Sequence, residues 1–582
     1  MITKWKLFNF KSVRNETELE LLPLTIFAGA NSSGKSTFLQ SILLVAQTLS
    51  HKVGSRSVVL NGAFTRLGQF DDLRSSDAEA DQIVVGWTCI PIQEPQAVRR
   101  RPFYYGRPGT SLSSVACEIA FDTEESGTDK EVTQIQPRLF SSMLEVIARD
   151  REGSDRRSFM SVRRAGTSSI AEKTKWARNL GDETVARASF QRDVDIDLVS
   201  LAELREEVVS AEPIGCLLRH FLPERLSLGV NLVVEDARAI CAVLSGDGRR
   251  GGPRRVQIER DIVVPSSVVD LILAAIQRVN AVTAEQFAER IEGQSDLFGT
   301  KGTSLERVEE VLRHIPFRQR MEVRREFSEA DGLEELVTLA LRDQRPDALS
   351  VVPARPPGAI AEGAWYLDQF FSSSVRYLGP LRDDPKSLYP LAPTADPSDV
   401  GIRGEHTAAV LELHKNRPIR YIPTSAFAEP EIQAQPLTRS LETAVVDWLR
   451  YLGVAENVQG RDRGKFGHEL KVNVAGTSRP HDLTHVGVGV SQVLPILVAS
   501  LLADADTTLI FEQPELHLHP KVQTLLADFF LSMTVLGKQC LVETHSEYLI
   551  NRIRFRAAAA RSGNPWVAAT KVYFVERPDG SS

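Results

Sequence analysis

The segment Phe27–Ile42 reads FAGANSSGKSTFLQSI and contains the spacing GxxxxGKS. In such a loop the glycines let backbone N–H groups turn toward phosphate oxygens, the lysine reaches the β- and γ-phosphates, and the serine hydroxyl binds Mg²⁺. A strand-like run precedes the loop and a helical run follows it, so the positive end of the helix dipole adds to the site. The pattern predicts an ATP and Mg²⁺ site formed by Gly29, Ala30, Asn31, Ser32, Ser33, Gly34, Lys35, Ser36 and Thr37.

A loop of this kind needs an acidic partner for the metal, and the segment TLIFEQPELHLHP supplies one. The short apolar-leaning run Thr508–Phe511 ends at Glu512, as in a buried parallel strand that ends in a carboxylate. Glu512 is predicted to bind Mg²⁺ directly or through water, although taken alone it could be an ordinary solvated acid. His545 follows the next strand-like run, where a histidine can hydrogen-bond a γ-phosphate or an attacking water.

The elements that must position these residues lie toward the two ends of the chain. The first 28 residues read as two strands, the second of which leads into the glycine loop, and a helix follows the loop. We predict an α/β protein in three segments. Residues 1–90 and 375–582 form the two halves of a nucleotide-binding domain, and residues 91–374 form an insertion that is mostly helical with some strands.

The bulk composition is that of an ordinary soluble protein. The 582 residues are 42% hydrophobic and 25% charged, which allows a large core and roughly two to four domains. The net charge of −7 creates no general attraction to nucleic acid or anionic membrane. The five cysteines form no CxxC pair, which favours reduced thiols. Without a signal peptide or an apolar run of about 18 residues, the sequence predicts a cytoplasmic protein with no membrane partner.

The order of motifs resembles a known family. The chain carries FKS near its start, GxNxSGKST at the loop, a Gly/Ser signature and ETHSE. This order resembles the ABC-type ATPase heads of the RecF, SMC and OLD-nuclease group, and above all a bacterial AAA/ABC subgroup. The motifs of that subgroup stand here at Tyr377–Arg382 (YLGPLR), Val486–Pro495 (VGVGVSQVLP) and Glu512–Pro520 (EQPELHLHP). The resemblance covers about half of the chain.

The resemblance implies an architecture and a partner. It implies a P-loop NTPase fold in which the two sequence-distant halves form one ABC-type ATPase head, split by the insertion. It also implies a homodimer in which ATP lies between two heads and the signature of one head caps the γ-phosphate held by the other. The signature residues here are Gly487, Gly489, Ser491 and Gln492. Gln69, in LGQFDDL, matches the glutamine that contacts the metal in this family.

Two residues depart from the family's pattern. Gly487 stands where many relatives have serine, which removes a hydroxyl from the phosphate cap, although Ser491 can compensate. Gln513 stands where many ABC ATPases have the glutamate that polarises the attacking water, and glutamine is a poor proton acceptor. Either Glu515 or His545 takes over this role, or hydrolysis is slow. We favour slow hydrolysis and a long-lived ATP-bound dimer.

Arginine clusters in the middle of the chain indicate DNA as one partner. Arg99–Arg107 combines four arginines with three aromatic rings, which suits contact with phosphates and bases. Two further clusters comprise Arg156, Arg157, Arg163 and Arg164, and Arg249, Arg250, Arg254 and Arg255. Ordinary solvated arginines are the alternative interpretation.

Two functions from different classes fit these observations. The first is an ATPase that acts on or senses DNA in repair or phage defence. The second is a nucleotide-gated scaffold with little hydrolysis that regulates a separately encoded effector, such as a nuclease or toxin. A transporter ATPase fits less well because of the long insertion. Nuclease activity in this chain is not expected, since only seven residues follow Val575.

Overall fold

A computed structural model of the chain describes residues 1–30, 33–76, 78, 80–91, 111–123, 134–150, 152–174, 176, 183–246, 261–279, 303–344, 348–389, 398–432, 434–474, 479–560 and 565–576. The strands are β1 (Ile2–Phe8), β2 (Thr17–Glu20), β3 (Leu24–Gly29), β4 (Ile83–Cys89), β5 (Ser111–Asp122), β6 (Arg138–Arg149), β7 (Asp155–Arg164), β8 (Arg192–Ile196), β9 (Glu212–Arg219), β10 (Leu222–Asn231), β11 (Val263–Val264), β12 (Thr303–Ser304), β13 (Leu349–Ala354), β14 (Val375–Leu378), β15 (Pro418–Tyr421), β16 (Leu437–Ser440), β17 (Asn457–Asp462), β18 (His468–Asn473), β19 (His481–Asp482), β20 (Thr508–Glu512), β21 (Gln539–Thr544) and β22 (Thr570–Val575).

The helices follow the same chain order. They are α1 (Lys35–Leu49), α2 (Phe70–Leu73), α3 (Thr167–Lys173), α4 (Glu183–Phe190), α5 (Leu198–Glu207), α6 (Leu232–Ser245), α7 (Ser266–Arg278), α8 (Leu305–His314), α9 (Phe317–Ser328), α10 (Leu333–Gln344), α11 (Gly358–Ser373), α12 (Thr407–His414), α13 (Leu441–Leu452), α14 (Gly489–Leu502), α15 (Pro520–Val535), α16 (Glu547–Ala559) and α17 (Pro565–Ala568). Short 3-10 turns occupy Thr424–Phe427, Gly464–Phe466 and Leu483–His485.

The chain divides into two compact units. The first unit contains residues 1–157, 219–222 and 362–582, and the second contains residues 158–218 and 223–361.

A five-stranded parallel sheet forms the centre of the first unit. Its strand order is β14-β20-β21-β3-β22. All residues of β20 and β21 are buried, because parallel strands are covered on both faces and therefore consist of nearly continuous apolar runs. The strand that carries the glycine loop thus lies between two strands from the C-terminal part of the chain. The two sequence-distant ends form one P-loop NTPase sheet.

An antiparallel sheet accompanies the parallel one in the same unit. The strands of this sheet that lie wholly in the first unit follow the order β2-β1-β4-β5-β6. The indole of Trp5 on β1 stacks on Trp87 of β4 with ring centroids 5.5 Å apart, and its Nε1 donates to Ser41 Oγ of α1 at 2.8 Å. The buried amide of Gln539, at the start of β21, bonds both the N–H and the carbonyl of Ile2. These contacts hold the antiparallel sheet and the loop helix in a fixed relation to the parallel sheet.

Aromatic packing fills the core on the helical side of the parallel sheet. The fully buried Trp448 of α13 contacts Phe427 and Phe529, with ring centroids 5.6 and 5.1 Å away. Helix α13 ends at Leu452 and is followed by Gly453, whose φ of 70° is the left-handed C-terminal cap that glycine adopts readily.

The second unit contains both helices and strands. It has a three-stranded sheet in the order β13-β10-β9, and its helices α6 to α10 share an apolar core built on α6. The division into units differs from the predicted boundaries at 91 and 375. Strands β5 and β6 pair with β4 and with each other, so they belong to the first unit. The N-terminal stretch also differs, because Thr17–Gly29 forms two strands separated by residues 21–23 rather than a single strand. Within the described ranges, no helix combines the length and the apolar character that crossing a membrane requires.

Candidate nucleotide site

The carboxyl ends of three neighbouring parallel strands bring the predicted residues together. Strand β3 ends at Gly29, β20 at Glu512 and β21 at Thr544. Glu512 lies opposite Glu543 in the β20–β21 register, and Glu543 lies opposite Phe27 of β3. Open α/β sheets bind their ligands at this edge, so the loop, Glu512 and His545 reach one place despite their separation in sequence.

The glycine loop has the backbone that its sequence requires. Gly34 has a φ of 99°, and a Cβ there would lie 2.4 Å from Ser12 Oγ, so a side chain would be strained by both backbone and contact. Lys35 begins α1, is buried, and donates from Nζ to the Ala30 carbonyl at 2.5 Å. The hydroxyl of Thr37 lies 2.8 Å from that of Ser12. Ser33 and Gly29 also lie in the described part of the loop, whereas Asn31 and Ser32 lie outside the described residues.

The acid that contacts the loop serine is Glu543, which the sequence analysis missed. Ser36 Oγ donates to Glu543 Oε1 at 3.0 Å, and only 4% of Glu543 is exposed. Burial raises the pKa of this carboxyl, while the Ser36 hydrogen bond and the Lys35 ammonium oppose the rise. The available signal was a single acid inside the apolar strand QCLVET, but its role depends on β21 lying next to β3.

Glu512 occupies the same strand end with a different partner. It is buried, and it accepts a hydrogen bond from the Tyr377 hydroxyl of β14. Burial, together with the neighbouring Glu543, raises the pKa of Glu512 to about 7. A carboxylate with this pKa is readily ionised when a cation arrives, since opposite charge favours the ionised form.

A buried arginine accompanies these acids. Arg382, the last residue of the YLGPLR motif, is 6% exposed, and its Nε and Nη1 have no hydrogen-bond partner among the described residues. Burial lowers its pKa to about 10, while the neighbouring Tyr377, Glu512 and Glu515 oppose that effect. It therefore remains a cation at neutral pH and balances part of the negative charge of the glutamates. The YLGPLR motif alone predicts no role for this residue.

The predicted water-activating residues are held mainly by backbone contacts. Gln513 has a φ of 44° and donates its N–H to the Glu543 carbonyl at 2.8 Å. Glu515 is buried, and its Oε1 accepts the N–H of His545 at 2.6 Å. Its Oε2 has no partner within the described part of the chain. The imidazole of His545 is exposed. Glu515 therefore fixes the backbone at His545 with one oxygen and keeps the other available.

The signature residues stand at the start of α14. Gly487 is exposed, and a Cβ added there would meet nothing within 4 Å. Gly489 begins the helix. Ser491 and Gln492 are buried, and Ser491 Oγ donates to the Val488 carbonyl of its own turn at 2.7 Å. The accessible part of this predicted signature is therefore formed by its glycines rather than by the Ser491 hydroxyl.

Gln69 lies at the head of the short helix α2, where its side chain is exposed and its N–H donates to Asp72 Oδ2 at 2.7 Å. The end of this helix reaches the site through Lys11, whose N–H donates to the Leu73 carbonyl at 2.6 Å. Burial lowers the pKa of Lys11, while Asp72 and Glu512 raise it. Lys11 of the FKS motif, rather than Gln69, therefore interacts electrostatically with Glu512.

The donor set fits a magnesium ion that arrives with nucleotide phosphates. Ser36 and Glu512 carry the hard oxygen atoms that Mg²⁺ prefers, a hydroxyl and a carboxylate. Over the described ranges, no three His, Cys, Asp or Glu side chains are placed so as to hold a metal by themselves. Mg²⁺ usually binds through one or two carboxylates plus substrate phosphates, which agrees with this arrangement.

The described arginine cluster has local partners. Arg157 pairs with Glu145 at 2.7 Å, and both Arg156 and Arg163 are exposed. Arg164 is half-buried on the same strand, β7. The other two predicted clusters, at Arg99–Arg107 and at positions 249–255, lie outside the described residues.

Two segments of the chain match known families. Residues 1–85 match the family described as "AAA ATPase domain", and residues 367–551 match the family described as "AAA domain, putative AbiEii toxin, Type IV TA system". These are the two segments that meet in the parallel sheet, so each half of the candidate site lies in a segment that is similar to an AAA ATPase family. No functionally curated protein matches the chain.

Solved structures give a weak likeness over most of the chain. One is an Smc head domain from Pyrococcus furiosus with an extended coiled coil, bound to the C-terminal domain of ScpA. It is 11% identical with a TM-score of 0.28, covering 95% of this chain and 91% of that one. Another is an Smc head domain from Pyrococcus yayanosii, 12% identical with a TM-score of 0.30, covering 95% and 93%. Because these scores are low, strand order and loop geometry, rather than this likeness, establish the P-loop fold.

Proposed function

We propose that this protein binds Mg²⁺-ATP at the loop between β3 and α1 and hydrolyses it slowly. The observation that carries the proposal is the convergence of Lys35, Ser36 and Glu512 at one edge of the parallel sheet. The matches of both halves to AAA-family ATPase domains support it.

Each side chain has a role in this proposal. The loop N–H groups and Lys35 hold the phosphates, and Ser36 and Glu512 hold the metal. When bound, Mg²⁺ neutralises charge on the phosphate oxygens. Gln513 orients a water without accepting its proton. Glu515 keeps one carboxylate oxygen without a partner among the described residues, and His545 is accessible, so these two remain the candidates for proton transfer.

The binding step has a direct test. Equilibrium titration with a fluorescent ATP analogue should show binding to the wild type and loss of binding in Lys35→Ala. Lys52→Ala is a matched control, because Lys52 is an exposed lysine just beyond the other end of α1. Equal binding by the wild type and Lys35→Ala would refute the assignment of the loop.

We also propose that two copies of the chain dimerise around ATP, with the signature of each copy against the nucleotide of the other. The support is the accessible start of α14, where Gly487 is exposed and Val488 is 46% exposed. The N-terminus of a helix with glycines suits a phosphate, because its N–H groups point outward and its dipole is positive.

Gly487→Glu tests the dimer without disturbing the monomer. A side chain there has open space within the chain, but its negative charge would face the γ-phosphate of the partner's nucleotide. Sedimentation velocity should show an ATP-dependent dimer for the wild type and a monomer for Gly487→Glu, with unchanged ATP binding. Gly166→Glu is the control, since Gly166 also has open space around it. A dimer that survives Gly487→Glu, or one that forms without ATP, contradicts the arrangement.

We propose that this dimer acts on or senses DNA, in repair or phage defence. The exposed Arg156 and Arg163 support this role, since arginines on a surface can neutralise phosphates. Stimulation of ATP turnover by double-stranded DNA, which should weaken as salt is raised, tests the proposal. ATP-dependent dimerisation without any DNA effect would instead favour the regulation of a separate effector protein.

A further inference from the structure

We propose that Glu543 is a second carboxylate of the metal site, which makes nucleotide binding depend on Mg²⁺. This inference rests on the proposed ATP binding. It assigns Glu543 the role of a positioning residue that acts through Ser36 and through the water shell of the metal. Among the acids of the parallel strands, the sequence motifs predict only Glu512 as part of the metal site.

The contact with Ser36 is the first observation. Ser36 Oγ is the loop atom expected to bind Mg²⁺, and it donates a hydrogen bond to Glu543 Oε1 at 3.0 Å. A carboxylate bonded to a metal ligand orients that ligand and increases its basicity. The Glu543 carboxylate therefore lies beside the loop atom that is expected to bind the metal.

The second observation is the remaining oxygen of Glu543. Its Oε2 is buried and has no hydrogen-bond partner among the described residues. A buried carboxylate oxygen without a partner is costly, because it has lost its hydration and gained nothing in exchange. A water bound to Mg²⁺ would satisfy this atom, since such a water is a strong donor.

The backbone at Glu543 is held by strand pairing on both sides. Its strand pairs with β20 on one side and β3 on the other, and its carbonyl accepts the N–H of Gln513. Every residue of β21 is buried. A side chain on such a rigid element holds its geometry closely, so the carboxylate stays beside Ser36.

The charge of Glu543 should act in opposite directions with and without metal. The phosphates of ATP are negative, and a fixed carboxylate beside Ser36 repels them when no cation lies between. With Mg²⁺ present, the same carboxylate attracts the metal and supports the complex. Glu543→Gln should therefore weaken binding in Mg²⁺ but leave it unchanged or tighter without metal.

The experiment is titration of the full-length protein with methylanthraniloyl-ATP, in Mg²⁺ and in EDTA. We expect Glu543→Gln to weaken binding in Mg²⁺ by about 10-fold to 100-fold, as for other residues that orient metal ligands, and to bind at least as tightly as the wild type in EDTA. Ser36→Ala should give a similar loss in Mg²⁺, and adding Glu543→Gln to it should cost little more, because the two residues act together.

A matched control is Glu235→Gln in the other unit. Glu235 is also buried and accepts a serine hydroxyl, from Ser210 at 2.7 Å, and its replacement should leave nucleotide binding unchanged in both buffers. Thermal unfolding separates folding defects from site effects. If Glu543→Gln loses binding equally in Mg²⁺ and in EDTA, or not at all, the inference is refuted while ATP binding stands. If the wild type binds no nucleotide in either buffer, the proposed function itself fails.

Discussion

Replacing Glu512 by glutamine should stabilise the protein at about pH 8 when neither nucleotide nor divalent metal is present. Burial and the neighbouring Glu543 raise the pKa of Glu512 from 4.5 to about 7. Each pKa unit corresponds to about 1.36 kcal/mol, so the ionised side chain costs the folded state about 3 kcal/mol. Only 9% of the residue is exposed, which leaves little solvent screening to reduce this cost. Glutamine has the same shape and can still accept the Tyr377 hydroxyl, but it carries no charge.

The pH dependence has a definite sign. The folded state keeps the Glu512 proton to higher pH than the unfolded chain, so it binds more protons between about pH 4.5 and about pH 7. The contribution of Glu512 to the free energy of unfolding therefore falls as pH rises through this window. Above about pH 7 the ionised side chain destabilises the folded state by the full amount. The advantage of Glu512→Gln should grow from near zero at about pH 4.5 to about 3 kcal/mol at about pH 8.

Urea unfolding in EDTA measures this difference, with tryptophan fluorescence as the signal, because Trp448 is fully buried in the core of the same unit. Glu322→Gln is the matched control, since Glu322 is an exposed glutamate on α9, and it should change stability at neither pH. An advantage of Glu512→Gln that does not vary with pH, or a loss of stability at both pH values, would show that the Glu512 charge does not destabilise the folded state.

Two further predictions concern the core of the first unit. Asp528 is fully buried and binds both Arg552 and the 1%-exposed Arg556, so Asp528→Ala should cost about 3–5 kcal/mol by leaving a buried cation unpaired. Thermal unfolding measures this loss, and a change like that of the exposed Asp504→Ala would contradict it. Trp448→Ala should cost about 3–5 kcal/mol, because the cavity removes contacts with Phe529. A loss below about 1 kcal/mol in urea unfolding would show that the helices close over the cavity.

Much of the first unit could be predicted because its signals are local. The glycine loop, the apolar strand before Glu512 and the helix that ends just before Gly453 each follow from a few consecutive residues. The strand-end position of Glu512 and the loop position of His545 also follow from short patterns. These features required no knowledge of which strands are neighbours.

The missed features depend on pairing between distant segments. Glu543 gains its role because β21 lies between β20 and β3, and no spacing in the sequence gives that order. The charges of Arg382 and Lys11 interact with Glu512 only because the strands that precede these two residues, β14 and β1, are brought near Glu512 by folding. The predicted boundary at residue 91 differs from the observed division for the same reason. Strand β5 pairs with β4 and therefore belongs to the first unit.

Slow ATP hydrolysis at the glycine loop can be tested by the steady-state rate of phosphate release. It would be measured with Mg²⁺-ATP, with and without double-stranded DNA, for the wild type, Lys35→Ala and Gln513→Glu. We expect slow release by the wild type, none by Lys35→Ala, and much faster release by Gln513→Glu, because a proton acceptor then follows Glu512. Fast release by the wild type that Gln513→Glu does not change, or release that survives Lys35→Ala, would contradict this expectation.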